Sequence, residues 1–413
     1  MKILFVHQHL GALGGAEANI FLTGRELLRR SHSVALLHGP TTGRSEDKWR
    51  QVFVHSYRLL DHESNHERIA TVLNEFQPDL IYVHNFGNLE VLEYLLESGI
   101  PVVRMVHDHE MYCLRGYKYN VFTREICRRP ASLYCVWPCL AVLGRNRTSG
   151  GLPVKLVSYR EKKKEINLNR RCNRFVVYSD YAREELIRNG FDGDKVEVHV
   201  PIRCWGTDGP VSNLSERNLI LYAGQIIRGK GVDILLKALA EVRVPFECMI
   251  LGDGGHRAAC EKLCAKLGLG DRVQFRGFVL REELKNYYLQ SSVFVVSSVW
   301  PEPFGMTGPE AMRYGLPVVA FDAGGIREWL IDGENGFLVP WMDTKKFAAR
   351  VEKLLLDKDL ARRMGHNGME RVNREYNSTR QITELEQMFR KLAKIPAYSG
   401  RKTNFQNVFA NEL

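Results

Sequence analysis

The stretch "VFVVSSVWPEPFGMTGPEAMRYGLPVVAF" (Val293–Phe321) holds a complete folding unit. Its first residues, Val293–Val296, are uniformly apolar and rich in β-branched side chains, as a strand buried on both faces requires. A Gly- and Pro-rich turn follows, then the short helical stretch "EAMRYG" and a second apolar run, "LPVVAF". Strand, helix and strand in this order read as a βαβ crossover, which makes the two strands parallel. Inside the turn Glu302 and Glu310 stand eight residues apart with no charge between them. Thr307-Gly308-Pro309-Glu310 has the spacing of a capping box, which would leave Glu310 closing the helix N-terminus. Glu302 lies before the helix, between two prolines, and that reading does not explain it.

Outward from this unit the same alternation fills the chain. The first half reads as strand "KILFV", a helix over Ala16–Arg30, "SVALL", "VFVH", a helix from about Glu63 to Phe76 and "DLIYV". A helix near Leu89–Glu97, "PVVRMV", a basic helix over Lys155–Arg171, "RFVVYS", a helix near Tyr181–Asn189 and "KVEVHV" follow. The polar segment "RCWGTDGPVSNLSERN" (Arg203–Asn218) reads as a linker. The pattern restarts with "LILYAG", a helix from Val232, "FECMIL", a helix near His256–Leu267, "RVQF", a helix around Arg281–Gln290 and then the opening unit. After "FLV" the chain is helical from Phe347, with breaks expected at "GHNG" (Gly365–Gly368) and Asn377-Ser378. The expected fold is α/β: two Rossmann-like domains facing a cleft, followed by a helical tail. The boundaries are 1–204 for the first domain, 205–217 for the linker and 218–376 for the second. Residues 377–413 form a helix and tail expected to cross back to the first domain.

A length of 413 residues suits two domains of about 200 each. With 45% hydrophobic and 26% charged residues, the composition is that of a globular protein and excludes a disordered chain. No apolar run reaches the roughly 18–20 residues of a membrane span, and "MKILFVHQHL" reads as a strand, not a signal peptide. A cytoplasmic protein is expected, with any membrane contact peripheral. Charge is concentrated: Arg104 to Arg174 holds 16 Lys/Arg against 5 Asp/Glu, a net +11 within a chain of net +10. That basic, cysteine-bearing insertion (about 107–174) points to an anionic partner, either a membrane surface, a diphosphate-bearing acceptor or nucleic acid, or else to a solvated helix face. Of nine cysteines, Cys113, Cys127, Cys135 and Cys139 lie within 27 residues. Their spacing permits free thiols, a metal or disulfides, and lacks the paired knuckles of a strong zinc signal.

The chemistry sits in the loops after strands. Gly14 and Gly15, in "GALGGAEAN", would let the backbone approach a phosphate, or merely make a tight turn. In "GQIIRGKG" (Gly224–Gly231), Arg228 and Lys230 can converge on one anion, or be surface cations of an ordinary turn. Gly252 opens "GDGG", another turn that admits close backbone approach. "DGD" (Asp192–Asp194) reads as a turn. A carboxylate accepts two O–H bonds at once, so Glu310 suits the diol of a ribose, Glu302 the hydroxyls of a group beyond the phosphates, and backbone N–H groups at Gly305, Met306 and Thr307 an anion between them.

On these residues the chain resembles glycosyltransferase family 4, retaining enzymes with the GT-B fold. The likeness runs through "YAGQIIRGKGVDILLKAL", "ILGDGG", "VQFRGFV" and the block from Val293 to Val339, where Glu302 and Glu310 match the family's Glu-x7-Glu motif around Phe304 and Gly305. "GGAEANIFLTGRELLRRSHSV", "VHDHEMYC" and "VVYSDYAREELIRNGF" match the first half more loosely. The resemblance implies that Glu310 binds the donor ribose and Glu302 the transferred sugar. Lys230 would neutralise the departing diphosphate, Gly15 approach the phosphates and His107 face the reacting centre. Gln225 stands where the family usually has Arg, so Arg228 would supply the missing cation. The resemblance also implies a nucleotide-sugar donor, a UDP-sugar in preference to a GDP- or ADP-sugar, with no cofactor and no metal. Its acceptor would be a sugar or lipid-linked glycan of the kind used in polysaccharide synthesis. The alternatives are a GT-B enzyme acting on a small soluble acceptor or phosphate, and, more remotely, a non-catalytic nucleotide or nucleic-acid binder; no nucleic-acid partner is expected.

Overall fold

A computed structural model describes residues 1–59, 65–120, 122–145, 154–201, 209–214 and 217–394. Two parallel sheets dominate it. The strands of the first are β1 (Lys2–His7), β2 (Ser33–His38), β3 (His55–Arg58), β4 (Leu80–Val83) and β5 (Val102–Met105). After a two-stranded antiparallel ribbon, β6 (Leu143–Arg145) with β7 (Val154–Leu156), come β8 (Arg174–Val177) and β9 (Val196–Val198). The second sheet contains β10 (Leu219–Ala223), β11 (Glu247–Leu251), β12 (Val273–Gly277), β13 (Val293–Val296), β14 (Val318–Phe321) and β15 (Gly336–Val339). Strand orders are β3-β2-β1-β4-β5-β8-β9 and β12-β11-β10-β13-β14-β15. Each reverses direction of growth next to its first strand, so each has a switch point where ligands of open α/β sheets bind: β1/β4 and β10/β13.

Helices connect the strands. In the first half they are α1 (Gly15–Arg29), α2 (Glu46–Val52), α3 (Asn65–Phe76), α4 (Leu89–Glu97), α5 (Tyr159–Asn169) and α6 (Asp180–Arg188). The second half has α7 (Val232–Leu239), α8 (Arg257–Lys266), α9 (Arg281–Gln290), α10 (Thr307–Met312), α11 (Thr344–Leu356), α12 (Lys358–Glu375) and α13 (Ser378–Leu392). Central strands β1, β4, β10, β13 and β14 are buried almost throughout, because helices cover both faces. Helix α13 returns to the first domain: Phe389 packs edge-on against Tyr82 of β4, and Glu386 meets Arg30 at 3.1 Å and His32 at 3.0 Å.

Three sequence expectations need correction. "VFVH" is not a strand: Val52 ends α2, and the strand starts at His55. The basic helix does not begin at Lys155, since β7 occupies Val154–Leu156 and the Ser158 hydroxyl caps α5 by accepting the Glu161 N–H. "GHNG" lies inside α12 and breaks nothing. Gly365 is there because a Cβ would fall 1.9 Å from the Gly315 carbonyl oxygen, so the glycine lets helix and loop touch. The break at Asn377-Ser378 is present: α12 ends at Glu375 and the Asn377 side chain caps the start of α13, and "DGD" makes a short 3-10 turn. Most of the linker segment, residues 202–208 and 215–216, and the tail from 395 lie outside the described residues.

Candidate active site

Glu302 sits in the loop after β13, at the switch point of the second sheet. The carboxylate is 5% exposed, and all its bonds fall on Oε1. Lys230 Nζ donates to it at 2.6 Å, Trp300 Nε1 at 2.9 Å, and the Ser298 hydroxyl closes the set. Oε2 has no partner among the described residues. Burial alone would raise the Glu302 pKa, but the Lys230 ammonium and these hydrogen bonds outweigh it and hold it below the ordinary carboxylate value. Lys230 also lies over the Trp300 ring, 5.0 Å from its centroid. The backbone is fixed as firmly: the Glu302 N–H donates to Ala323 O, and Gly325 N–H donates to Glu302 O.

Further along the loop, Gly305 adopts φ +85°, a left-handed turn that a side chain would strain. The N–H groups of Gly305, Met306 and Thr307 donate to no described residue, so three donors stand open. The capping-box reading of Glu310 fails here. Met306 is the N-cap of α10, and no side chain caps it. The half-buried Glu310 carboxylate makes no hydrogen bond or ion pair to a described residue. Phe304 faces inward: its side chain is 3% exposed against Tyr376, and its carbonyl accepts from Trp329 Nε1 at 2.6 Å.

The "GQIIRGKG" loop contributes unequally. Its 3-10 turn, Arg228–Lys230, delivers Lys230 to Glu302, while the Gln225 and Arg228 side chains are exposed and reach neither carboxylate. Gly252 supports this loop from beneath. At φ +129° a Cβ on it would lie 1.9 Å from the Gly224 carbonyl oxygen, and its N–H is already given to Gly277 O.

Across the cleft, Gly14 caps α1, and its N–H is taken by Glu17 Oε2 at 2.8 Å; Gly15 follows, exposed. Burial raises the Glu17 carboxyl, but His7 and this N–H lower it further, so a carboxylate already occupies the helix N-terminus. His107, after β5, is buried with both ring nitrogens engaged: Nε2 with His84 Nδ1 at 2.9 Å, Nδ1 with the Tyr178 hydroxyl at 2.7 Å. Burial pushes its pKa down to about 3, with His7 and Arg104 adding to the effect. A neutral imidazole donates at one nitrogen and accepts at the other, so Tyr178, His107 and His84 form one directional chain. Both ring nitrogens of His107 are thus already engaged within the first domain.

Sequence reasoning gave no role to His84, Tyr178, Ser298 and Trp300, and considered His109 only as a metal ligand beside the cysteines. The strand order gathers four of the first domain's polar residues: His7, His84, His107 and Tyr178 each sit at or just past the end of a buried strand, and β1, β4, β5 and β8 are neighbours in that order. The row ends at the second domain. Ser179 donates to Pro303 O at 2.5 Å, and His109 Nε2 donates to Pro301 O at 2.8 Å, so the Glu302 loop is held from both sides by the first domain. His109 Nδ1 accepts from Tyr112, and burial lowers its pKa to about 4. The insertion adds Tyr117 against Trp300 and a two-bond Arg124–Asp233 ion pair onto α7. Its cysteines, Cys113, Cys127, Cys135 and Cys139, are half-buried separate thiols, and among the described residues no three His, Cys, Asp or Glu are placed to ligate a metal.

Residues 13–199 match the family model described as Glycosyltransferase Family 4, and residues 209–371 the one described as Glycosyl transferases group 1. The alpha-D-kanosaminyltransferase of Streptomyces kanamyceticus is 33% identical over 182 residues, 43% of this chain and 47% of that protein. The lipopolysaccharide core biosynthesis glycosyltransferase LpsE of Rhizobium meliloti is 31% identical over 198 residues, 46% of this chain and 53% of its own. The chain thus spans about half the length of the curated relatives it matches. Anabaena HepE in complex with UDP and glucose has the same fold, with a TM-score of 0.71 at 20% identity, over 95% of this chain and 100% of that one. Two Rossmann-type domains whose switch points meet across a cleft define a GT-B protein. Within that class, the chain carries a family-4 glycosyltransferase domain in its first half and a group-1 glycosyl transferase domain in its second.

Proposed function

We propose that the protein is a retaining, metal-independent hexosyltransferase that moves a sugar from a nucleoside-diphosphate sugar, UDP-linked by preference, to a glycan or lipid-linked acceptor. The observation that carries this reading is the buried Glu302–Lys230 pair at the second switch point, facing the first domain. Lys230 spends one of its three donors on Glu302 and keeps the others for the leaving diphosphate. Oε2 of Glu302 is left to accept a hydroxyl of the transferred sugar, and Glu310 takes the ribose diol. The open N–H groups of Gly305, Met306 and Thr307 suit phosphate oxygens. Fixed donors of this kind stabilise charge that develops as the glycosidic bond to phosphate breaks, without having to reorganise. With both nitrogens engaged, His107 acts as a neutral, oriented dipole at the cleft floor, not as a general base. The HepE structure with UDP and glucose supports the choice of base by likeness of fold alone.

Calorimetric titration with UDP, GDP and ADP tests the reading. Saturable binding of UDP, weakened at least tenfold by Lys230→Ala, is expected; no binding of any nucleotide to folded protein overturns it. Once a donor sugar is found, turnover should be unchanged in EDTA and the product should keep the donor's anomeric configuration. Loss of activity on chelation removes the metal-independent part.

A further inference from the structure

Helix α5 carries the centre of the basic region and divides its charges by face. Inward, Lys162 is tied to Glu165 at 2.5 Å and to the Glu110 carbonyl, and Arg170 to the Asn189 carbonyl. Outward, Arg160, Lys163, Lys164, Asn167 and Arg171 recur at i, i+3, i+4, i+7 and i+11, the spacing of one helical face. On that face Arg160 and Lys163 have no carboxylate partner among the described residues. Lys164 and Arg171 only approach Glu93 and Glu97, at 3.6 to 4.0 Å between exposed side chains. Together with Tyr159 and Glu93 the face borders an open groove of about 520 Å³.

Two residues before the α5 cap, Leu156 is 83% exposed and pairs across the β6–β7 ribbon with Leu143, itself 45% exposed. The two exposed leucines thus form an apolar cross-strand pair immediately ahead of α5 in the chain. Cations for phosphates and an apolar edge for acyl chains are the two signals that peripheral membrane binding combines.

We propose that the outer face of α5, with the Leu143–Leu156 pair, is a docking surface for an anionic lipid bilayer. Arg160, Lys163, Lys164 and Arg171 meet headgroup phosphates in the groove, and the leucine pair enters the interface. Charge complementarity selects this occupant, and the leucines favour a bilayer over a soluble polyanion. The proposal extends the transferase reading by bringing a lipid-borne acceptor to the first domain, and rests on it for that purpose only.

Co-sedimentation of the full chain with vesicles of pure phosphatidylcholine, and of phosphatidylcholine with phosphatidylglycerol, tests it. Binding to the anionic vesicles alone is expected, falling with salt. One basic residue near such a surface is worth about fivefold in partition, so Arg160→Ala with Lys163→Ala should lose roughly 25-fold. Leu156→Ser should lower the binding that survives high salt, whereas Phe278→Ser, at a residue of the second domain 72% exposed, should not. Equal binding to neutral vesicles, no binding, or indifference to the double substitution overturns the proposal. So does transfer RNA that binds more tightly and displaces the vesicles, which would mark a nucleic-acid surface. UDP titration of the same samples separates the failures, because bilayer docking can fail with donor binding intact and the reverse.

Discussion

Three donors converge on one oxygen of Glu302, and that arrangement makes separable predictions for the two carboxylates of the loop. Glu302→Gln keeps the shape but removes the charge that Lys230 and Ser298 face, and turnover should fall by about 10²–10³. In urea denaturation, Glu302→Gln and Lys230→Met should each destabilise, while the double variant recovers about 1–2 kcal/mol relative to their sum, since neither charge is then left without its partner. Strict additivity would mean that the pair is not coupled. Glu310 is the contrast. With no partner among the described residues, Glu310→Ala should leave the urea midpoint unchanged yet weaken UDP binding at least tenfold by calorimetry. A large loss of stability would instead give Glu310 a structural role. The acidic pair was legible in the sequence because the turn between the two residues carries no other charge. The partners of Glu302 were not, since Lys230 is 72 residues away in the chain and Trp300 passes for an ordinary aromatic.

Elements were legible where burial fixes the residue type and obscure where a contact does. Parallel strands such as β1, β4 and β13 must be apolar on both faces, so their runs stand out without any partner being known. The start of α5 and the glycines of α12 depend on what touches them, and there local pattern misled. Gly365 gives a test at this scale. Gly365→Ala improves the helix propensity of α12 by about 1 kcal/mol, but it drives a Cβ to 1.9 Å from the Gly315 carbonyl oxygen, a backbone atom that cannot rotate away. The net effect should be destabilising by about 1–3 kcal/mol, the usual cost of overpacking, read as a lower urea midpoint. A stabilised variant would show that α12 and the Gly315 turn do not press together. The row of polar residues ending β1, β4, β5 and β8 was hidden for a like cause. Each is unremarkable in its own strand and becomes a chain only once the strand order is known.

Taken whole, the molecule joins its domains through the Arg124–Asp233 and Arg30–Glu386 ion pairs and, beside Glu302, through a neutral histidine. His109 donates from Nε2 to Pro301 O and, as a neutral ring, accepts at Nδ1 from Tyr112, and His107 lies in the same way between His84 and Tyr178. Burial depresses both, to about 4 and about 3 from an ordinary 6.5. For a histidine lowered by folding, the unfolded chain takes up the proton first. Stability is therefore complete above pH 6.5 and drains away as the pH falls through the window down to the folded values. Between pH 7 and pH 5 each ring should cost roughly 2 kcal/mol. His84, lowered well below its ordinary value by burial and by His107, acts in the same direction. Asp108 opposes them: burial and then Glu110 raise its carboxyl to about 6, so the folded state already binds that proton. It should return roughly 1 kcal/mol over the same interval. Urea midpoints at pH 7, 6 and 5 should thus decline, and His109→Gln, which keeps a donor for Pro301 but cannot titrate, should flatten the slope by about one proton. If the wild type and His109→Gln lose stability in parallel, the imidazole at the domain junction is not buried and neutral, and the closed arrangement of the two sheets around Glu302 would have to open in solution.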